Sequence, residues 1–291
     1  MKKKEKTSSF GAYAFMLPAL IIYLSVIVIP VFYSVYISLF KWNGVAEMQF
    51  VGLGNYISLF TNDPVFITAL KNNLIWIVLT ILVTMTVSLM FAVILNKQFR
   101  GRTVFRALFY FPAVVAPIAV AIIWRWIYNP NIGFINQFFK TVGINYKQTW
   151  ISTPSTAIFA VFFASLWAGI GQPMILFLAG LQGVSPDVLE AATIDGAGPV
   201  KKFFLVTIPL MKQTFVMVVA TLITAAMKVY DIVAGLTDGG PNNATQMLAT
   251  YMYSQTFQYN NVGMGTAVAV IMVVMMLVVI VPYVSFTAKE H

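Results

Sequence analysis

Residues 189–210 read LEAATIDGAGPVKKFFLVTIPL. Two carboxylates, two lysines, two glycines and two prolines gather here, while long uncharged runs lie on either side. Such runs occupy Ala12–Phe40, Leu74–Asn96, Ala107–Trp124, Ser155–Asp187 without its acidic end, and Val262–Ala288. A helix needs about 20 predominantly apolar residues to cross the hydrocarbon layer. A polar stretch set between runs of that length is a loop kept out of lipid. The fold class is therefore an all-α integral membrane protein.

Composition agrees and removes whole classes of chemistry. The 291 residues are 59% hydrophobic and 9% charged, against about 25% charged in a soluble domain. There is no cysteine, which excludes disulfides and thiolate metal sites, and the one histidine is the last residue, His291. Most zinc sites, histidine general bases and any Ser-His-Asp triad are thereby unavailable. No catalytic residue and no metal site is expected. The net charge of +9 reads as a topology signal and not as nucleic-acid binding. MKKKEK at the start is like the n-region of a signal peptide, but Tyr13–Phe40 is too long for the apolar core of one and lacks a small-residue exit site, so it is read as a retained first helix.

Six membrane helices are expected, near 13–40, 71–96, 104–128, 155–181, 208–236 and 262–287. The fifth is ambiguous: only fifteen uncharged residues separate Lys212 from Lys228. Either that segment fails to span, or Lys228 and Asp231 lie in the outer part of the bilayer. With a cytoplasmic N-terminus, twelve of the 18 basic residues fall inside (Lys2, Lys3, Lys4, Lys6, Lys97, Arg100, Arg102, Arg106, Lys201, Lys202, Lys212, Lys289) and six outside (Lys41, Lys71, Arg125, Lys140, Lys147, Lys228). Cytoplasmic loops carry the excess of Lys and Arg, so both termini are expected inside a bacterial-type cytoplasmic membrane. Trp42, Trp124, Trp126, Tyr128, Tyr251, Tyr253 and Tyr259 then fall near outer helix ends, as interfacial aromatics do. The organisation is a cytoplasmic tail over 1–12, a transmembrane domain over 13–287 with its longest inner loop at 182–209, and a cytoplasmic end at 288–291.

Within that loop SPDVLEAA starts like a helix. Ser185 suits the N-cap, Pro186 the first helical position, and Asp187 the positive helix end. Gly196 and Gly198 suit the stop. Helices that lie on lipid carry basic polar faces and large apolar residues; this one is acidic with small alanines, a shape for another protein. Glu190-Ala191-Ala192, three residues, Gly196, nine residues, then Val206-Thr207-Ile208-Pro209 resembles the EAA loop of ATP-binding-cassette (ABC) importer permeases. SLFKWNG (38–44), FVGLGNYISLF (50–60) and LTDGGPNNAT (236–245) are similar to the maltose-type carbohydrate-uptake permeases. Val206 replaces the usual isoleucine and Gln213 a frequent proline, neither with a change of charge.

The resemblance implies the type I importer permease fold and a short cytoplasmic coupling helix seated in an ATPase subunit. Glu190, Ala191, Ala192, Asp195 and Gly196 take the coupling positions. It further implies a second homologous permease subunit, two cytoplasmic ATPase subunits that bind ATP and Mg, and an extracytoplasmic sugar-binding protein. The chain itself would carry no cofactor and would bind no nucleic acid; its other partner is the lipid bilayer.

Polar groups at membrane depth are candidate sites by default. LWAGIGQPMI in the fourth helix supplies Trp167, Gly169 and Gln172. The tryptophan either offers an aromatic face to a sugar or is merely interfacial, and the glycines either open a path or pack helices. In the maltose-type family the segment about twenty residues before the EAA glutamate contributes to the sugar site, which implies Gly169 and Gln172. Lys228 and Asp231, three apart on one helical face, either neutralise each other or line the path with Tyr230. The family's binding asparagines align with Ala226 and Val229, a departure that shifts weight to the partner permease. Gly263, Gly265, Ala267 and Ala269 suggest that the last helix packs closely on a neighbour.

The resulting expectation is the permease subunit of an ABC importer for a sugar or oligosaccharide, not an enzyme, since the chain holds no G-x-x-x-x-G-K-[ST] phosphate loop. The alternative is an ion-coupled secondary transporter. Those place carboxylates at the midplane, and here Asp231 alone fits. An intramembrane hydrolase or lipid transferase lacks the histidine, cysteine or paired carboxylates it needs.

Overall fold

The computed structural model describes residues 9–144 and 147–288. Lys2, Lys3, Lys4, Lys6, Lys289 and His291 lie outside the described residues, as does most of the expected 1–12 tail and of the 288–291 end. The chain forms two compact units, residues up to Asn62 with Met252–Ile271, and Asp63–Tyr251 with Met272 onward.

In the first unit, α1 (Phe15–Ile37) is an apolar span with none of its most hydrophobic window buried. Its serines hide their polarity locally: Ser25 donates to the Ile21 carbonyl and Ser34 to that of Pro30, both at 2.8 Å. The SLFKWNG and FVGLGNY segments form a hairpin, with β1 (Phe40–Lys41) antiparallel to β2 (Gln49–Phe50) and Phe40 opposite Phe50. Asn55, on α2 (Gly54–Asn62), is buried and donates from Nδ2 to the carbonyls of Ser38 (2.8 Å) and Phe40 (2.9 Å). The last helix (Val262–Ala288) starts against this hairpin. The Gly263 N–H donates to the Trp42 carbonyl at 3.1 Å, and a Cβ on Gly263 would strike the Phe40 carbonyl. The neighbour that demands small residues is thus the hairpin.

The second unit opens with α3 (Pro64–Asn96). Asp63 caps it, accepting from the Phe66 N–H at 2.8 Å with Pro64 in the first turn. The chain continues through α4 (Arg102–Val114), α5 (Pro117–Ile127), α6 (Phe134–Thr141), α7 (Pro154–Gly169), α8 (Gly171–Gln182) and α9 (Pro186–Ile194), then α10 (Pro199–Leu210), α11 (Lys212–Met227), α12 (Asp231–Leu236) and α13 (Leu248–Tyr253).

By length and composition α1, α3 and the last helix are long and apolar enough to cross a membrane. Among the described residues the total reaches six if three bent pairs each count as one span. The expected single helix over 104–128 is α4 and α5, bent by 99° where Pro117 begins a new helix after the extended Ala116. The expected 155–181 helix is α7 and α8, bent by 46°, with Pro173 unable to bond back to the Gly169 carbonyl. The expected 208–236 helix is corrected most. α10 meets α11 at 71°, α11 ends at Met227, and Lys228–Tyr230 is not helical before α12 begins.

Asparagines fasten this unit. Asn72 Nδ2 donates to the carbonyls of Ala244 and Gln246, both at 2.9 Å. Asn73 accepts from the Leu248 N–H (2.7 Å) and donates to the Ala226 carbonyl (3.2 Å). They clamp the LTDGGPNNAT segment, a tight turn in which Asp238, Asn242 and Asn243 are left-handed and Gly240–Pro241 is cis.

Candidate functional site

A cavity of about 280 Å³ opens at the interruption in the fifth segment, lined there by Lys228, Val229, Tyr230 and Asp231. Its other walls include Pro112, Val115 and Pro117, flanking the α4–α5 bend, and Ser165 and Gly169 near the end of α7. A second cavity of about 160 Å³ shares Ser165, Gly169, Ala225 and Val229 with the first and adds Thr80, Thr84, Gln172 and Thr221. Three broken segments therefore meet around two adjoining cavities whose walls are largely apolar with a few polar groups. Interrupted backbone is costly in hydrocarbon unless it lines a cavity, and discontinuous helices around a central site are a recurring transporter device.

Lys228 and Asp231 are local products of the break. Lys228 caps the C-terminal end of α11, where carbonyls are exposed, and Asp231 begins α12, where N–H groups are. No ion pair joins them among the described residues; both side chains are exposed within the cavity wall. Mutual neutralisation, one of the two readings of this pair, is not what the geometry displays. Tyr230 is half-buried beside them.

Gly169 borders both cavities and Gln172 the second, whereas Trp167 borders neither. Trp167 packs edge-on against Trp124, ring centroids 6.2 Å apart. The helical period explains this. Ser165 and Gly169 are four apart on one face, and Trp167, two from each, is about 200° round the helix. Residues the sequence did not single out include Trp76, Thr80 and Thr84 on α3. Thr80–Thr84 is a π turn, a feature frequent at functional sites, and the two threonines four apart in an uncharged run were the available signal.

The 182–209 loop is built quite differently. Ser185 Oγ accepts from the Asp187 N–H at 3.3 Å at the start of α9. At its end Ala197 N–H donates to the Ala192 carbonyl (2.9 Å) and Gly196 N–H to that of Thr193 (3.0 Å), a Schellman closure with Gly196 left-handed at φ +79°. Lys202 Nζ donates to Thr193 Oγ1 at 2.8 Å, tying α10 to α9. Leu189 packs on the cluster that includes Leu178, Leu181, Val184 and Met211. Glu190, Ala191, Asp195 and Gly196 are exposed and Ala192 half-buried. Both helix ends are thus closed by bonds within the loop itself, while the acidic, small-residue surface is left exposed.

Broken spans around cavities that expose a few polar and charged groups, joined to a polar loop, define a membrane transport component. Residues 84–288 match the sequence profile of the family described as "Binding-protein-dependent transport system inner membrane component". The chain belongs to that family, and is a transport component of the inner membrane and not an enzyme. It is similar to the "Probable ABC transporter permease protein YurN" of Bacillus subtilis (strain 168), 35% identical over 96% of this chain and 97% of that one. It is 30% identical to the "Multiple sugar-binding transport system permease protein MsmF" of Streptococcus mutans, with 99% of each chain covered. A solved "bacterial alginate ABC transporter in complex with alginate pentasaccharide-bound periplasmic protein" contains a chain of the same fold, TM-score 0.83 at 20% identity, over 96% of this chain and 94% of that one. The ion-coupled alternative is not favoured by any of these relationships.

Proposed function

We propose that this chain is one of two permease subunits of an ABC importer for a sugar or oligosaccharide. The cargo is delivered by an extracytoplasmic binding protein and passes the cavity bordered by Gly169, Gln172, Lys228, Tyr230 and Asp231. Both termini lie in the cytoplasm, as the distribution of Lys and Arg favours, so α9 projects there. Glu190, Ala191, Ala192, Asp195 and Gly196 form the seat for one of two ATPase subunits, which hold the ATP and Mg. The domain limits are those of a membrane domain over 13–287 between short cytoplasmic ends.

The observation that carries this reading is the self-contained α9. It is capped at both ends, anchored through Leu189 and Lys202, and still presents an uncovered carboxylate beside alanines. Sugar chemistry is supported by the named relative MsmF and by a cavity with hydroxyl, amide, phenol and charged groups in place of a dense cationic cluster. The test is Glu190→Lys in cells that also express the partner subunits. The protein should insert at the wild-type level while sugar uptake falls to background and the ATPase no longer co-purifies. Wild-type uptake by that variant would refute the coupling seat.

A further inference from the structure

Between α5 and α7 the chain leaves one membrane segment and enters the next, and this stretch carries an arrangement separate from the cavities at the helix breaks. Between Asp63 and Asp187 there is no other acidic residue, and the only charges between Tyr128 and Pro154 are Lys140 and Lys147. Both line one outward-opening cavity of about 240 Å³, together with Asn131, Asn136 and Gln137.

The frame of that cavity is held firmly. Asn136 is buried; its Nδ2 donates to the carbonyls of Pro130 (3.2 Å) and Gln148 (2.9 Å), and its Oδ1 accepts from Trp150 Nε1 (3.1 Å). Gln137 Nε2 donates to the Asn131 carbonyl and Lys147 Nζ to Asn131 Oδ1 (2.8 Å). Lys140 is exposed and has no side-chain partner among the described residues. A cavity with two ammonium groups, and no carboxylate among the described residues that line it, favours an anion.

The same helix says which anion. On α6, Ile135 packs on the protein core, while Phe134 and Phe138, one turn apart and stacked with centroids 6.3 Å apart, face outward at 71% and 54% exposure. Trp126, at the end of α5, and Ile132, just before α6, are also exposed. An apolar aromatic ridge next to a basic cleft, at the end of a membrane segment, is the pattern of an interfacial helix that holds acyl chains on one side and headgroups on the other. We propose that the α6 cavity binds the phosphate of an anionic phospholipid through Lys140 and Lys147, with the acyl chains against Phe134 and Phe138. Outer loops are generally poor in lysine, and this site gives the two present here a purpose.

Native mass spectrometry of the full-length chain, offered phosphatidylglycerol and phosphatidylcholine in equal amounts, tests it. The wild type should retain phosphatidylglycerol preferentially. Near-surface lysines each contribute about fivefold, so Lys140→Gln with Lys147→Gln should weaken that preference roughly thirtyfold, while Lys140→Arg with Lys147→Arg keeps it. Raising the salt should erode the wild type's preference without any variant. An undiminished preference in the glutamine double variant would overturn the proposal. So would binding of free glycerophosphoglycerol as tight as that of the whole lipid, which would make this a soluble-anion site. Lost delivery by the binding protein with lipid retention unchanged would instead make it a protein-docking face.

Discussion

The α9 loop and the cavity at Lys228 are opposite solutions to placing polarity in an apolar chain. The loop is made of contiguous residues whose hydrogen bonds close within a dozen positions, from Ser185 to Ala197. The cavity is made of interruptions that lie far apart in sequence, near Ala116, Ile170 and Lys228–Tyr230, and only tertiary packing brings them together. Function that depends on the loop should fail through its surface alone. Function that depends on the cavity should fail through shape and charge.

The largest effect expected is therefore at the loop. Ala191 is exposed, so Ala191→Trp should leave thermal stability within about 0.5 kcal/mol of wild type yet reduce uptake to background, measured as labelled sugar accumulated per amount of inserted protein. Partial uptake would mean that α9 tolerates bulk and is not a close-fitting seat. Next comes a packing position beside the cavity. A Cβ at Gly171 would sit 3.0 Å from Tyr110 Cα and 3.2 Å from the Phe109 carbonyl oxygen, so α8 touches the α4 backbone there. Gly171→Val should cost about 1–3 kcal/mol by overpacking and lower the melting temperature of the purified protein. An unchanged melting temperature would show that α4 and α8 part easily, and that the cavity wall is looser than its contacts indicate.

The charges at the break separate the two readings open from sequence. If Lys228 and Asp231 act independently on cargo, Lys228→Met and Asp231→Asn should each lower uptake about tenfold and their effects should add. A double variant better than either single one would restore the neutralising pair. These substitutions change no backbone contact, so the melting temperature should move little.

Legibility follows the same division. α9, its cap, its left-handed Gly196 stop and its polar surface all follow from adjacent residues, and local rules for caps and stops are strong. Gly263 reads as a close-packing residue, though nothing local names the Phe40–Trp42 hairpin as its neighbour. The fifth segment is too short between Lys212 and Lys228 to span, and the helix does end at Met227. Hydropathy has no term for a helix that stops and restarts inside a span, so it predicts one helix across the break. Aromatics suit sugars, which favours Trp167 on the path, but its position round α7 from Ser165 and Gly169 turns it to Trp124. Thr80 and Thr84 went unremarked because hydroxyls are cheap in membrane helices and carry little signal alone.

The smallest effect is the one that isolates shape. Gly169 borders both cavities, and a Cβ there would meet only Thr84 Cγ2, at 3.9 Å, an ordinary contact. Replacement of a helical glycine by alanine removes chain freedom from the unfolded state and stabilises by roughly 0.5–1 kcal/mol where nothing clashes. Gly169→Ala should thus raise the melting temperature slightly, the reverse of Gly171→Val two residues on. The added methyl also takes up space where the two cavities share a wall, so the KM for a bulky oligosaccharide should rise about twofold to threefold while that for a monosaccharide stays put, a change of less than 1 kcal/mol. A gain in stability with no dependence on cargo size would leave Gly169 as a packing residue and move the path elsewhere along α3. A size-dependent loss would place the narrowest point of the route at the meeting of α7 with the break in the fifth segment.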